Sequence, residues 1–155
     1  MPPIGIGQAV TFFEKELKKA AISPNPLWQA LGSIMDLEFK QNGVDIVVLE
    51  EALSPSGEVT EIVRSYISEL ISNLQQYREF VASKMLKLYN ETWYDESIGS
   101  LSKQDFVAKL INPSIDIYDQ EGYAVIYFDD SNVFGGHYIE VGVKNGAAED
   151  AGLAG

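Results

Sequence analysis

A long run of regularly spaced apolar residues in the middle of the chain constrains the fold most. From Glu58 to about Trp93, apolar side chains recur every three or four residues, the spacing of one helix face. A helix of about 35 residues would be about 50 Å long. That is long for a chain of 155 residues, so we expect a kink near Ser72-Asn73. The stripe is wide rather than a narrow seam, which argues against a coiled coil. A structural or regulatory homodimer with this helix as its interface is an alternative role for the stripe.

Alternating apolar and polar residues on both sides of this helix predict strands. Residues 33–40 and 44–50, joined by the turn at Gln41-Asn42-Gly43, predict a β-hairpin. Three further strands are predicted at 114–118, 123–128 and 137–143. Because each follows the last after a short turn, they predict an antiparallel meander.

Two shorter helices complete the prediction. Residues 9–22 have helical spacing, although a strand through Val10 and Phe12 is the alternative. Residues 101–111 predict a short helix with Ser102 as its N-cap, Asp105 completing a capping box, and Asn112-Pro113 ending it. Helix, hairpin, long helix, short helix and meander follow one another, so we predict an α+β fold in one domain, residues 1–155.

The charge of the chain limits its partners. The 23 acidic residues outnumber 11 basic ones, giving a net charge of −12, and residues 111–155 contain eight acids and only one base, Lys144. Nucleic acids and anionic membranes are disfavoured because both attract basic surfaces. A basic protein would be attracted. The absence of cysteine and of an apolar run of about 18 residues predicts a cytoplasmic protein without a thiolate metal site.

His137, the only histidine, lies in the segment FDDSNVFGGHYIEV. One hypothesis is a small enzyme or a metal site in which His137 acts with Asp129 and Asp130, with Asp119 as a further ligand. The interpretation we favour is a hairpin corner, in which Gly135-Gly136 supply positive φ angles. No triad or phosphate-binding loop is present, so we predict neither an enzyme nor a cofactor or metal. Tyr89, Trp93 and Tyr94 are interpreted as core or helix-end packing.

The acidic last third is therefore the predicted partner-binding surface. Its carboxylates would attract a basic protein, and the corner would contribute neighbouring side chains. The predicted partner-binding residues are Asp116, Asp119, Glu121, Asp129, Asp130, Asn132, Phe134, His137 and Glu140.

Several separated motifs resemble a family of small bacterial proteins of unknown function. They are YNETW at 89–93, LSKQDF at 101–106, FDD leading into FGGHYIEV, and the closing DAGLAG, and the resemblance covers about residues 55–155. Such proteins are similar to the acidic immunity proteins found beside bacterial polymorphic toxins. The resemblance implies a protein that binds and masks a basic toxin domain. It implies no residue roles, and the motif residues enter as signature positions only.

Overall fold

The computed structural model describes residues 35–154. The helix expected over residues 9–22 lies outside the described residues, as do the first two residues of the first predicted strand. None of the helices within residues 35–154 is both long and apolar enough to cross a bilayer.

Six strands form one sheet in the order in which they occur along the chain. All neighbouring strands pair antiparallel except β2 and β3, which pair in parallel from Asp45 opposite Ser114 to Val48 opposite Ile117. The strands are β1 (Leu37–Gln41), β2 (Val44–Val48), β3 (Ile111–Ile117), β4 (Tyr123–Asp129), β5 (Tyr138–Lys144) and β6 (Ala147–Ala154).

The helices lie between β2 and β3 in the chain and provide the crossover that a parallel pair requires. They are α1 (Glu61–Ser72), α2 (Leu74–Leu88) and α3 (Lys103–Ala108), with a 3-10 turn at Glu50–Ala52 and a π-helical turn at Tyr89–Trp93. The kink expected near Ser72-Asn73 is confirmed, because Asn73 leaves helical geometry and separates α1 from α2. The long helix starts later than Glu58, since Thr60 is its N-cap and accepts a hydrogen bond from the Val63 backbone.

One hydrophobic core joins the helices to one face of the sheet. The helices contribute the stripe that includes Val63, Ile67 and Val81, and the strands contribute alternate residues such as Ile115 and Ile126, all almost completely buried. Most of the apolar stripe is thus buried within the chain, whereas Ile62 and Leu88 remain exposed. The opposite, polar face of the sheet carries side chains such as Asp116, Tyr127 and Glu140.

The last third contains the predicted meander and one strand more. β3, β4 and β5 match the prediction, and β6 extends the meander beyond it. Helix α3 has the predicted capping box between Ser102 and Asp105. The expectation that Asn112-Pro113 ends this helix is wrong. The helix ends at Ala108, and Asn112-Pro113 lies inside β3, where the pairing register with β4 shifts and Asn112 has a φ of 52°.

Candidate functional site

The loop that joins β4 to β5 is built around the carboxylate of Asp130. This side chain is 1% exposed. One oxygen accepts a hydrogen bond from the backbone N–H of Asn132 at 2.8 Å, and the other accepts from those of Phe134 at 2.8 Å and Gly136 at 3.1 Å. A buried carboxylate is tolerated when donors surround it in this way. Asp130 therefore holds the loop together from the inside and is not the surface acid that we predicted.

The backbone of this loop turns repeatedly through left-handed geometry. The φ angle is positive at Ser131, Asn132, Gly135 and Gly136, from 51° to 89°. Glycine accepts such angles at little cost, and asparagine tolerates them better than most residues. The prediction that Gly135-Gly136 supply positive φ before β5 is confirmed.

A second motif, YNETW, forms the π-helical turn that follows α2. The side chain of Asn90 donates a hydrogen bond to the carbonyl of Leu101 and accepts one from its N–H. The hydroxyl of Tyr89 donates to the carbonyl of Gly99 at 2.9 Å. These bonds fix the turn against the segment that leads into α3. Single π-helical turns within helical segments occur frequently at functional sites.

The two motifs meet at one end of the molecule. The ring of Trp93 lies 5.7 Å from that of Phe134 and 5.9 Å from that of His137, both nearly edge to face. Phe134 also contacts the rings of Tyr89 and Phe106 in the same manner. Aromatic pairs favour this geometry. We call the group Tyr89, Trp93, Tyr94, Phe134 and His137 the aromatic corner.

The aromatic corner has a buried base and an exposed top. Tyr89 and Phe134 are fully buried, which confirms core packing for Tyr89 and shows that Phe134 is not available on the surface as predicted. Trp93 and Tyr94 are 37% and 49% exposed, so the interpretation of both as core or helix-end packing is incomplete. His137 is partly buried. The polar and acidic residues that follow Tyr94 in the sequence indicate that this segment faces solvent.

The predicted acids do not gather at one site. Asp119 and Glu121 lie in the turn before β4, and Asp129 and Asn132 lie at its other end. A strand of seven residues separates these two groups by about 20 Å. In the turn, the Asp119 side chain accepts hydrogen bonds from the N–H groups of Glu121 and Tyr123.

Two of the predicted acids lie on the polar face of the sheet beside Tyr127. Glu140 pairs directly with Tyr127 across β4 and β5, and Asp116 lies on the neighbouring strand β3. Burial, followed by the charges of Asp36 and Glu38, raises the pKa of the Asp116 carboxyl. Burial, a hydrogen bond with Tyr118 and both acids raise the pKa of Tyr127. This region therefore has a negative potential.

The acids of the loop between β4 and β5 already have hydrogen-bond partners. Within residues 35–154, no group of three or more His, Asp or Glu side chains is placed to hold a metal ion. Both oxygens of Asp130 already accept backbone hydrogen bonds, and Asp129 accepts one from the side chain of Asn112 at 3.2 Å. Tryptophan and tyrosine, the two exposed residues of the aromatic corner, are enriched among the residues that contribute most to binding in protein interfaces.

Fold and site together define an α+β protein with helices on one sheet face and the aromatic corner at one end. The chain belongs to the DUF2262 family, described as an uncharacterized protein conserved in bacteria, whose model matches residues 35–153. Neither a curated protein nor a solved structure matches the chain.

Proposed function

We propose that this chain is an acidic protein-binding protein that neutralises a cognate bacterial toxin by binding and masking a basic toxin domain. The net charge of −12 is the observation that carries the proposal. Its motifs resemble a family of small bacterial proteins that are similar to immunity proteins of polymorphic toxin systems, and this resemblance supports the same role. In that role the chain acts in the cytoplasm of the cell that it protects.

The placement of the charges supports the proposal. In the last third of the chain every acidic side chain except Asp130 reaches the surface, in whole or in part. Between residues that the structure describes, two ion pairs form, Lys40–Asp45 at 2.8 Å and Lys87–Glu91 at 4.0 Å. Most acidic side chains of the described region are therefore not neutralised by an ion pair and contribute to the negative electrostatic field around the protein. Such a field speeds the encounter with a basic partner and weakens as salt is added.

Steering alone does not keep a complex together. The lifetime of a complex depends mainly on a small number of well-packed anchors, in which tryptophan and tyrosine are enriched. Trp93 and Tyr94 are exposed rings of this kind, and Trp93 contacts Phe134 of the loop that Asp130 holds. We infer that the acids set the rate of association and that these rings limit dissociation.

A capture experiment followed by a growth assay tests the function. The tagged chain is incubated with lysate of its host at low and at moderate salt, and retained proteins are identified. We expect one basic protein to be retained at moderate salt, to stop bacterial growth when produced alone, and to be harmless when produced with this chain. Retention of no basic protein at either salt, or of one that does not affect growth, would contradict the proposal.

A further inference from the structure

The surface segment from Glu91 to Ser97 combines two aromatic rings with three acidic side chains. Every residue of this segment is exposed, and none is basic. Six large hydrophobic side chains are exposed within residues 35–154, and three of them, Leu88, Trp93 and Tyr94, lie within seven consecutive positions. Exposed apolar groups are therefore concentrated where negative charge is also present.

Hydrogen bonds hold this segment in one conformation. The carboxylate of Asp95 accepts bonds from the N–H and the hydroxyl of Ser97, at 2.8 and 2.7 Å. These two bonds lower the pKa of Asp95. The hydroxyl of Tyr89 accepts from the Asp95 N–H at 3.4 Å, and the N–H groups of Ile98 and Gly99 donate to the Asp95 carbonyl. A surface ordered before binding loses little conformational entropy when a partner arrives.

We propose that segment 91–97 receives an arginine side chain of a basic protein partner, with Trp93 and Tyr94 stacking on the guanidinium and Glu91 and Glu96 pairing with its charge. The inference rests on the proposed function for the basic character of that partner. It adds the place of contact and the chemical group that is recognised, neither of which follows from the net charge.

Arginine fits this surface better than lysine for physical reasons. Its guanidinium is planar, stacks on aromatic faces, is weakly hydrated, and presents several donors to carboxylates. An ammonium group is a strongly hydrated point charge with no flat face. The ion pair between Lys87 and Glu91 is 4.0 Å long with both side chains exposed, so an incoming arginine displaces it at little cost.

The inference is tested with two labelled peptides of equal charge, hexa-arginine and hexa-lysine. Their binding is measured by fluorescence anisotropy at about 50 mM salt and at about 150 mM, which is roughly the physiological ionic strength. We expect hexa-arginine to bind about fivefold more tightly, the size of a surface cation–π contribution. The double variant Trp93→Ala/Tyr94→Ala should abolish the difference between the peptides. Trp93→Phe, which keeps a ring over Phe134, should retain part of it.

Two matched controls separate this surface from general acidity. Tyr138→Ala removes an aromatic ring that is 56% exposed on the polar face of the sheet. This variant should leave the preference for arginine unchanged. Glu91→Gln/Glu96→Gln should weaken hexa-arginine binding more than Glu51→Gln/Glu58→Gln, which removes the same charge from other exposed positions. Circular dichroism confirms that each variant is folded.

Three results would overturn the inference: equal binding of the two peptides, an arginine preference that survives the loss of both rings, and an equal effect of the control variants. Because the peptides replace the toxin domain, this test does not depend on finding a partner. The growth assay does not depend on segment 91–97. The two failures can therefore be told apart.

Discussion

Replacing Asp130 by alanine should destabilise the protein by about 2.5–5 kcal/mol. The change leaves the N–H groups of Asn132, Phe134 and Gly136 without their acceptor. Hydrogen bonds to a charged group contribute about 1.5–3 kcal/mol when buried and roughly 0.5–1 kcal/mol when water can replace the partner. The hydrogen bond to Phe134 is buried, so the larger value applies to it. The bonds to Asn132 and Gly136 are partly buried, so the smaller value applies to each of them. The expected loss is a large share of the stability of a domain of this size.

Urea unfolding followed by circular dichroism measures this loss. Asp130→Asn should cost less, about 1–2 kcal/mol, because its remaining oxygen can still accept from Phe134 and Gly136. Asp129→Ala is the matched control. That acid accepts one exposed hydrogen bond from Asn112, so its removal should cost less than about 1 kcal/mol. A loss below about 1 kcal/mol for Asp130→Ala, at an unchanged denaturant slope, would refute the role given to this carboxylate.

Two further predictions concern ionisation and stability. Tyr66, whose hydroxyl donates a hydrogen bond to the carbonyl of Gly122, has a pKa raised to about 12, mainly by burial. The unfolded chain loses this proton near pH 10, so the free energy of unfolding should fall between about pH 10 and 12. In the Tyr66→Phe variant it should fall less steeply over this range. Urea unfolding at alkaline pH measures both slopes, and equal slopes would contradict the prediction. At neutral pH, Tyr66→Phe should cost about 1 kcal/mol. Asp116, whose pKa is raised by burial and by Asp36 and Glu38, destabilises the folded state once it is ionised. Asp116→Asn should therefore raise the free energy of unfolding at pH 7. This gain should disappear below about pH 4, near the pKa of aspartate in the unfolded chain. Thermal melts at the two pH values test this, and an equal effect at both would contradict the prediction.

The elements that could be predicted from the sequence depend on neighbouring residues. The capping box of α3 needs only Ser102 and Asp105, and both of its hydrogen bonds form. The turn at Asn42-Gly43 needs two residues that accept positive φ, and both adopt it. Local patterns of this kind act before tertiary contacts exist, so a sequence can reveal them.

The features that could not be predicted depend on distant residues. β6 is rich in alanine, glycine and acids, which are weak strand formers. It exists because β5 offers an edge along its whole length, and the Asn145-Gly146 turn was its only local signal. The burial of Asp130 and not of Asp129 follows from how the loop closes over Phe134. The meeting of Trp93 with His137 joins motifs that lie far apart in the chain.

The parallel pairing of β2 with β3 has a consequence for the order of folding. The meander from β3 to β6 needs only short loops, whereas β2 reaches β3 only after residues 49–110 have formed a closed loop. Closing a loop of this length costs entropy before any contact repays it, and non-local contacts slow folding. The β1–β2 hairpin should therefore join the sheet last. Its amides should exchange with solvent sooner than those of β4 and β5, which lie inside the meander.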